Sequence, residues 1–246
     1  MSIHPTAIID KSAIIENNVS IGPFSIVYSN VVIKKNTKIE SYCQIGYPSS
    51  NTNISESLVV ENNSLIRSNS IIYSSSLLGS YLVTGHNVVI RENTIAGRNV
   101  QIGTNSEIQG DCSIGNYVKF QSGVFVGKNT IIKDFVWILP NVILTNDPTP
   151  PSNILTGPTI NEYAVICAGS IILPGINIGM GAVVGAMSCV TRDVREGYCV
   201  RGNPAVEIKL ASEIMRRDIL NEPAYPWTKR FIRGYPESIT ESWNEN

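Results

Sequence analysis

The chain has 246 residues, of which 43% are hydrophobic, and 19 basic residues against 20 acidic ones give a formal net charge of −1. This balance argues against a general nucleic-acid or membrane-surface binder, since both need a basic excess, and it favours a small-molecule partner. The length allows one large domain or two small ones.

The cysteines and the N-terminus indicate the compartment. The five cysteines contain no CxxC pair and are odd in number, which favours reduced thiols over a disulfide framework. The first residues lack the charged and apolar regions of a signal peptide, and no run approaches the roughly 18 apolar residues of a membrane span. We therefore expect a cytoplasmic protein.

An apolar residue recurs every six positions along most of the chain. One series starts at Ile3 and slips by three residues near 46–48; a second runs from Ile54 to Leu144, and a third from Ile160 to Val190. A helix repeats near 3.6 residues and a strand at 2. A sustained period of six therefore predicts short strands joined by corners and stacked as an all-β solenoid.

Two further places in each repeat support this prediction. The residue four places after the apolar one is small or β-branched, and we expect both side chains inside a narrow core. The position three residues after the apolar one is rich in asparagine, which tolerates the left-handed backbone conformation of a corner. These asparagines are Asn18, Asn30, Asn36, Asn63, Asn69, Asn87, Asn93, Asn99, Asn105, Asn129 and Asn141.

The pattern changes after the repeats. Residues 207–221 have helical spacing, with apolar side chains on one side, which predicts a helix that closes the end of the solenoid. The tail that follows mixes aromatic and basic residues, so we expect it to dock on the solenoid or a neighbouring subunit; binding of a phosphate-bearing ligand is the alternative. The predicted division is a solenoid over 1–206, with an excursion near 145–159, and a helix and tail over 207–246.

An aliphatic residue followed by glycine, as in Ile21-Gly22, Ile102-Gly103 and Ile114-Gly115, recurs in these repeats. The pattern resembles the hexapeptide-repeat acyltransferases, over roughly residues 1–206. The resemblance implies a three-sided left-handed parallel β-helix. With three repeats to a coil, it implies about ten coils spaced about 4.8 Å apart.

His86 is one of only two histidines and comes just before a corner, so its side chain should point outward. A surface histidine without a role is one interpretation. In the resembled family, a histidine on an outward edge of a middle coil commonly acts as general base, and Gly85-His86-Asn87 is similar to that context. Imidazole suits the role because its pKa lies near the operating pH.

Steps of one coil from His86 place small or compact residues on the same edge. The first three are Thr104, Ser122 and Pro140. If the excursion inserts ten residues, the column continues to Ala168, Ala186 and Pro204; an insertion of four would place these residues on another edge. The column predicts a shallow groove that suits an extended pantetheine arm.

Candidate coenzyme contacts lie near the C-terminal end of the repeats. The stretch Val200-Arg201-Gly202-Asn203-Pro204-Ala205 resembles the family's closing motif near the coenzyme A nucleotide, and clustered cations suit its phosphates. The alternatives are a chain-ending turn and solvated side chains. The candidate coenzyme contacts are Ala168, Ala186, Thr191, Arg192, Arg201, Asn203, Pro204 and Lys209.

Candidate acceptor contacts are Asn146, Asp147, Asn87 and Glu107. The Thr-Asn-Asp exit into the excursion is similar to the family's substrate-side loop, although Asp147 also falls on a corner column, so turn-making is its alternative. Asn146 falls on a different edge from His86 and would meet it only across a subunit interface, as in the trimers typical of the family. Glu92 and Glu107 are candidate carboxylates for orienting the histidine.

The resemblance implies an acyltransferase that uses acetyl-coenzyme A and no metal. Its closest likeness is to N-acetyltransferases acting on nucleotide-linked (dTDP, UDP or GDP) amino-deoxy sugars in surface-polysaccharide biosynthesis, working as homotrimers with sites between subunits. An O-acyltransferase using coenzyme A or acyl carrier protein, and a non-catalytic structural solenoid, stay open. A zinc hydratase is disfavoured because it needs three histidines per site, whereas the chain has two.

Overall fold

The computed structural model describes residues 2–49 and 57–244. Its strands form three sheets that follow one another around each turn of a parallel β-solenoid of about eleven turns. Sheet 1 contains Ser2–Ile3, Ser20–Ile21, Lys38–Ile39, Leu65–Ile66, Val83–Thr84, Gln101–Ile102, Lys119–Phe120, Trp137–Ile138, Val165–Ile166, Val183–Val184, Tyr198–Gly202 and Ala205–Leu210. Sheet 2 contains Ile8–Ile9, Ile26–Val27, Gln44–Tyr47, Ile71–Tyr73, Val89–Ile90, Glu107–Ile108, Phe125–Val126, Ile143–Leu144, Ile171–Ile172 and Cys189–Val190. Sheet 3 contains Ile14–Ile15, Val31–Ile33, Leu58–Val60, Leu77–Leu78, Ile95–Ala96, Ser113–Ile114, Ile131–Ile132, Thr159–Ile160 and Asn177–Ile178.

Successive coils are stacked in register. Ile72 pairs with Ile90 and Ile90 with Ile108, so a regular coil comprises three of the six-residue repeats. The predicted three-sided parallel solenoid is therefore confirmed, with about one turn more than expected; its left hand stays an expectation. We call the corner between sheets 1 and 2 the first corner, that between sheets 2 and 3 the second, and that between sheets 3 and 1 the third.

The core consists of the two interior places of each repeat. Ile66, Ile72 and Ile90 are fully buried, and so are the small residues that accompany them, such as Ser70 and Thr94. Their hydroxyls are satisfied, since Ser70 Oγ donates to the Arg67 carbonyl at 2.8 Å and Thr94 Oγ1 to that of Arg91 at 2.8 Å. Of the repeat residues named above, Ile54 lies outside the described residues.

The corners bear out the asparagine prediction. All eleven predicted asparagines adopt φ angles between 55° and 65°. Several also stack along the solenoid, as where Asn87 Nδ2 donates to Asn105 Oδ1 at 3.1 Å. Tyr117, Phe135 and Tyr163 occupy the same left-handed place at the third corner, which the sequence pattern did not predict.

Two insertions interrupt the regular coils. Ile45 pairs with Ile72, so this coil is nine residues longer than a regular one. The extra residues lie between the strands Gln44–Tyr47 and Leu58–Val60. An insertion of nine produces the slip of three seen in the six-residue period. Leu144 pairs with Ile172, a step that exceeds a regular coil by ten, so the second excursion inserts ten residues. The ten-residue insertion, which keeps Ala168 on the same edge as His86, is therefore confirmed.

The C-terminal end differs from the prediction. The helix predicted over 207–221 is wrong: Ala205–Leu210 is a strand antiparallel to Tyr198–Gly202, and a short 3-10 helix, Ala211–Glu213, follows it. The open edge of sheet 1 provides backbone partners that a local helical preference does not outweigh. A short C-terminal α-helix is present but lies at Glu237–Asn244, after a second 3-10 helix at Trp227–Lys229. None of the helices in the described ranges is long and apolar enough to cross a membrane.

The tail docks on the outer face of sheet 1 and on the third corner. Trp137 Nε1 donates to Tyr235 Oη at 3.0 Å, and Trp227 Nε1 donates to the Tyr163 carbonyl at 3.2 Å. The Lys119 ammonium lies 4.2 Å from the centre of the Tyr235 ring and 4.9 Å from that of Trp137. Burial, with a smaller contribution from a nearby arginine, lowers the pKa of Lys119. Docking against the solenoid is therefore the tail's observed role.

Candidate functional site

His86 lies at the first corner, two residues after the strand Val83–Thr84 of sheet 1, and is exposed. Gly85 allows the close stacking there, since a Cβ atom at Gly85 would lie 2.3 Å from the Thr104 nitrogen. The His86 N–H donates to Thr104 Oγ1 at 3.2 Å, and its carbonyl accepts from the Asn105 N–H at 3.0 Å. Among the described residues the imidazole ring has no hydrogen-bond partner, so either ring nitrogen is available to a substrate.

The column beyond His86 is held by one backbone hydrogen bond per coil. The Gly123 N–H bonds to the Thr104 carbonyl at 2.9 Å and the Asn141 N–H to that of Ser122 at 3.0 Å. In the next two coils the Gly169 N–H bonds to the Pro140 carbonyl and the Met187 N–H to the Ala168 carbonyl, each at 2.9 Å. The six stacked residues are His86, Thr104, Ser122, Pro140, Ala168 and Ala186.

The end of the column is not where the repeat arithmetic places it. Val184 pairs with Val200, so the last coil is two residues shorter than a regular one. The residue stacked on Ala186 in the column is therefore Gly202 and not Pro204. The assignment of Pro204 to the column is therefore wrong, because the final strand begins two residues early. Asn203 and Pro204 instead form the exposed turn between the two antiparallel strands, which is the chain-ending turn named as the alternative.

The remaining coenzyme candidates are split between two corners. Arg201 is exposed at the end of the His86 column, where its Cβ lies 2.8 Å from the place a Cβ at Gly185 would take. Thr191 and Arg192 follow Cys189–Val190 of sheet 2, so they lie at the second corner and not beside the column. Lys209 Nζ donates to the Glu213 carbonyl at 2.9 Å, so it holds the turn after the last strand. The structure thus brings Ala168, Ala186 and Arg201 together along the first corner.

Asp147 organises the excursion itself. Its carboxylate accepts from Ser152 Oγ at 2.8 Å, from the Ser152 N–H at 3.0 Å and from the Thr149 N–H at 3.1 Å. These bonds, led by that of the Ser152 hydroxyl, lower the pKa of Asp147. Turn-making is therefore its observed role, although it lacks the left-handed conformation of the regular corners.

Asn146 and Glu107 do not meet His86 within one chain, and Asn87, which follows His86 directly, is engaged by another asparagine. Asn146 lies at the second corner, where its carbonyl accepts from the Thr156 N–H at 2.7 Å, and Asn87 is occupied by the asparagine stack. Glu107, on the outer face of sheet 2, accepts a hydrogen bond from the Gln109 amide.

Neither glutamate orients the histidine. Glu92 is only 2% exposed and accepts two hydrogen bonds from Arg91, at 2.9 and 3.1 Å, at the second corner. Because the carboxylates of Glu92 and Glu107 are engaged elsewhere, neither contacts His86 within the chain, and that expectation is wrong.

Several cavities in the described part of the protein lie outside the predicted site, and two of them adjoin corners described above. One of about 490 Å³ adjoins the first corner on the N-terminal side of His86 and is lined mainly by serine and charged residues. The other, of about 540 Å³, lies between the tail and the third corner, with Tyr163, Trp227 and Trp243 in its walls. Across the described ranges, no three His, Cys, Asp or Glu side chains are placed to hold a metal ion.

The chain matches the family model described as "Bacterial transferase hexapeptide (six repeats)" over residues 12–47 and 93–128. A "Putative serine acetyltransferase" of Schizosaccharomyces pombe is 31% identical over 104 residues, which is 42% of this chain and 38% of that protein. The 2,3,4,5-tetrahydropyridine-2,6-dicarboxylate N-acetyltransferase of Staphylococcus aureus is 46% identical over 55 residues, 22% of this chain and 23% of the relative. The matched segments therefore span well under half of these relatives.

Among solved structures, an Arabidopsis UDP-N-acetylglucosamine acyltransferase has a similar fold. It aligns with a TM-score of 0.50 and 17% identity over 85% of this chain and 74% of that protein. At this identity the likeness concerns the fold alone, and it agrees with the stacked parallel coils described above.

Proposed function

Because the chain is a hexapeptide-repeat protein of the bacterial transferase type, we propose that it is an acyltransferase that uses acetyl-coenzyme A, with His86 as general base. The observation that carries the proposal is the position of His86. Its ring is exposed and has no partner among the described residues, and it stands at the head of the column of small residues that ends near Arg201. A purely structural solenoid has no need of this combination.

In the proposed reaction, the acceptor's amino group attacks the carbonyl carbon of the acetyl thioester. His86 takes the proton of the attacking nitrogen, and backbone N–H groups stabilise the oxyanion of the tetrahedral intermediate. The carbon–sulfur bond then breaks, the thiolate of coenzyme A leaves, and the proton held by His86 neutralises it. The first step requires the uncharged form of the imidazole, which alone can accept a proton.

The small-residue column is the proposed place of the acyl donor. Five coil steps separate His86 from Ala186, a distance of roughly 24 Å at about 4.8 Å per coil. Thr104, Ser122 and Pro140 leave room for an extended pantetheine arm near the base. Arg201, at the far end, suits the phosphate groups of the donor because its guanidinium is exposed and forms no ion pair with the described residues. Arg192 would reach the same ligand only from the second corner.

The proposed acceptor is the amino group of a nucleotide-linked amino-deoxy sugar used in surface-polysaccharide biosynthesis. The match to a relative named as an N-acetyltransferase supports transfer to nitrogen, whereas the nucleotide-linked sugar rests on the resemblance of the repeats to amino-sugar N-acetyltransferases. Transfer to a hydroxyl group is the second candidate, since the fission-yeast relative is named for serine, whose side chain is a hydroxyl.

We also propose a homotrimer with the site between subunits. Leu77, Ile95 and Ile131 lie along the outer face of sheet 3 and are exposed, which is an apolar row of the kind that interfaces cover. Asn146 lies at the second corner, so only another subunit's copy would reach His86. The five cysteines are free thiols, which supports a reducing compartment such as the cytoplasm.

The test is His86→Ala, assayed by thiol release with acetyl-coenzyme A and a panel of dTDP-, UDP- and GDP-linked amino sugars. We expect turnover to fall by more than about 100-fold with the fold intact by circular dichroism, because general-base catalysis contributes about that much. Ser80→Ala is the matched control, since Ser80 holds the equivalent place at the third corner. Near-normal turnover of His86→Ala would remove His86 as the base.

A further inference from the structure

The cavity of about 490 Å³ directly adjoins the His86 column on the side away from the proposed donor groove. Ser68, in its wall, lies one coil before His86, because the Asn87 N–H bonds to the Ser68 carbonyl at 3.1 Å. Ser41 lies one coil further, since the Asn69 N–H bonds to its carbonyl at 3.1 Å. The cavity therefore begins about 4.8 Å from the level of His86.

Glu40 is the central polar group of this wall. Its Oε2 accepts hydrogen bonds from the Ser68 N–H at 3.3 Å and from Ser68 Oγ at 3.2 Å, which positions the carboxylate. Its Oε1 lies 3.8 Å from both Lys38 Nζ and Arg67 Nη1, which is an ion-pair distance but too long for a hydrogen bond. Oε1 therefore keeps its capacity to accept a hydrogen bond from a ligand.

Further ligand-binding groups surround this carboxylate. The hydroxyls of Ser20 and Ser41 line the cavity, and neither has a hydrogen-bond partner in the described part of the protein. Lys38, also in the wall, is largely exposed. Arg67 does not line the cavity but lies beside Glu40, so Lys38 and Arg67 together exceed the single charge of Glu40 and the local balance favours an anionic group on the ligand.

The two sides of His86 thus differ in chemistry. Towards the C-terminus the first corner presents Thr104, Ser122 and Pro140, whereas towards the N-terminus it presents a fixed carboxylate, free hydroxyls and two cations. Hydroxyl and amino groups donate well to a carboxylate, and a phosphate pairs with lysine and arginine. An acyl chain has no use for these partners.

We propose that this cavity binds the acyl acceptor, and that the acceptor is a hydroxyl-rich amine carrying a phosphate group. Glu40 Oε1 and the hydroxyls of Ser20 and Ser41 bind its hydroxyl groups, while Lys38 faces its phosphate and Arg67, beside Glu40, adds to the positive charge there. Its amino group is thereby held at the level of His86. This inference rests on the proposed function, since it takes His86 as the base.

The test is a steady-state comparison with the nucleotide-linked amino sugar that the panel identifies as the best acceptor. Glu40→Gln should raise the KM for the sugar about tenfold while leaving kcat within about threefold, because it removes binding common to the ground and transition states. The KM for acetyl-coenzyme A should not change. The double variant Ser20→Ala, Ser41→Ala should raise the KM for the sugar in the same way. It provides a second test of the cavity in case the glutamate variant misfolds. Glu61→Gln is the matched control, since Glu61 lies outside the cavity at the third corner.

Unchanged acceptor KM in both cavity variants would overturn the inference while the loss of turnover in His86→Ala still supports the proposed function. If no sugar in the panel is acetylated, the proposed function fails, and the cavity is then tested by titration calorimetry with D-glucosamine 1-phosphate. Binding to the unmodified protein that weakens at least fivefold in Glu40→Gln supports the cavity. Absence of binding at millimolar concentration overturns it.

Discussion

The first and third corners are made by the same repeat, with the same buried residues behind them and the same left-handed conformation at the turn. At the first corner the left-handed place holds residues such as Asn87 and Asn105, and the residue before it is small or is His86. At the third corner the left-handed place is an asparagine in several coils, such as Asn63 and Asn99, but in three later coils it holds Tyr117, Phe135 and Tyr163, whose rings stack with centroids 5.0 Å apart. The tail covers these rings and leaves the column of small residues outside its aromatic cluster. The outward residues alone therefore decide whether a corner docks the protein's own chain or stays free of it.

The left-handed conformation is unfavourable for aromatic residues, so the third corner needs a compensating interaction. Each stacked or edge-to-face ring pair adds about 0.5–1.5 kcal/mol beyond its buried area. Trp227 alone packs against Trp137, Tyr163, Tyr235 and Trp243. The third corner thus contributes to stability, and the first corner is available for binding.

The largest expected effect is on the third corner. Trp227→Ala should lower the free energy of unfolding by about 3–5 kcal/mol, because it leaves a cavity in the aromatic cluster and removes the bond to the Tyr163 carbonyl. Denaturant unfolding followed by tryptophan fluorescence and circular dichroism measures the change. Phe24→Ala, which removes an exposed first-corner ring stacked only on Tyr42, should cost about 1 kcal/mol. Equal losses would contradict the division between the two corners.

The next effect is on the first corner. Ala168→Trp fills the column of small residues and should raise the KM for acetyl-coenzyme A by at least about 30-fold, with stability little changed because the side chain points outward. Kinetics at varied donor concentration measure it. Ser80→Trp makes the same change at the equivalent third-corner place and should leave that KM unaffected. A normal KM in Ala168→Trp would show that the donor does not follow the column.

A smaller effect tests what the corners share. Asn87→Ala should cost about 1–2 kcal/mol, because alanine is strained in the left-handed conformation, whereas Asn87→Gly should recover most of the loss. Thermal unfolding of the two variants measures the difference. Acceptor KM should stay within about threefold in Asn87→Gly if Asn87 serves the turn. A tenfold rise would restore Asn87 as an acceptor contact.

The smallest effect concerns the second corner, which lies apart from the first and third corners. The Asp147 carboxyl should titrate below its ordinary value of 3.8, because its pKa is lowered by the bonds from Ser152 and Thr149. Its stabilising contribution is therefore present above pH 3.8 and lost as the pH falls through the lower folded-state pKa. Carbon-13 NMR titration of the carboxyl measures the value. Asp147→Asn should speed amide exchange of Ser152 at neutral pH without changing the KM for any substrate; a raised acceptor KM would restore the substrate-loop role.

Much of the fold was predictable because the six-residue period is a local property. Each coil buries the same pair of side chains, so Ile90 and Ile108 identify the interior without knowledge of their neighbours. The asparagines were equally predictable, since the left-handed conformation restricts which residues fit. The resemblance to a known family singled out His86, and the column beyond it follows from the three repeats per coil that the resemblance implies together with a ten-residue excursion.

The parts that failed depend on distant residues. Val206, Ile208 and Leu210 alternate as in a strand, yet Ile208, Ala211 and Met215 also fit a helix, and only the open edge of sheet 1 decides between them. Pro204 was misplaced because the final coil is two residues short. The repeat pattern does not predict the polar cavity, because Ser41 and Ser68 stack on each other only across the first insertion. Counting back one regular coil from Ser68 gives a position inside that insertion instead of Ser41.

The antiparallel strand Ala205–Leu210 also determines what this solenoid can build with copies of itself. Stacked parallel coils form a filament if the last coil of one molecule pairs with the first coil of the next, and such head-to-tail growth needs a free parallel edge at both ends. In sheet 1 the chain reverses direction and occupies its own final edge. Blocking one end is sufficient to prevent an open-ended polymer along that sheet, and it leaves the sides of the molecule as the surfaces for a closed assembly.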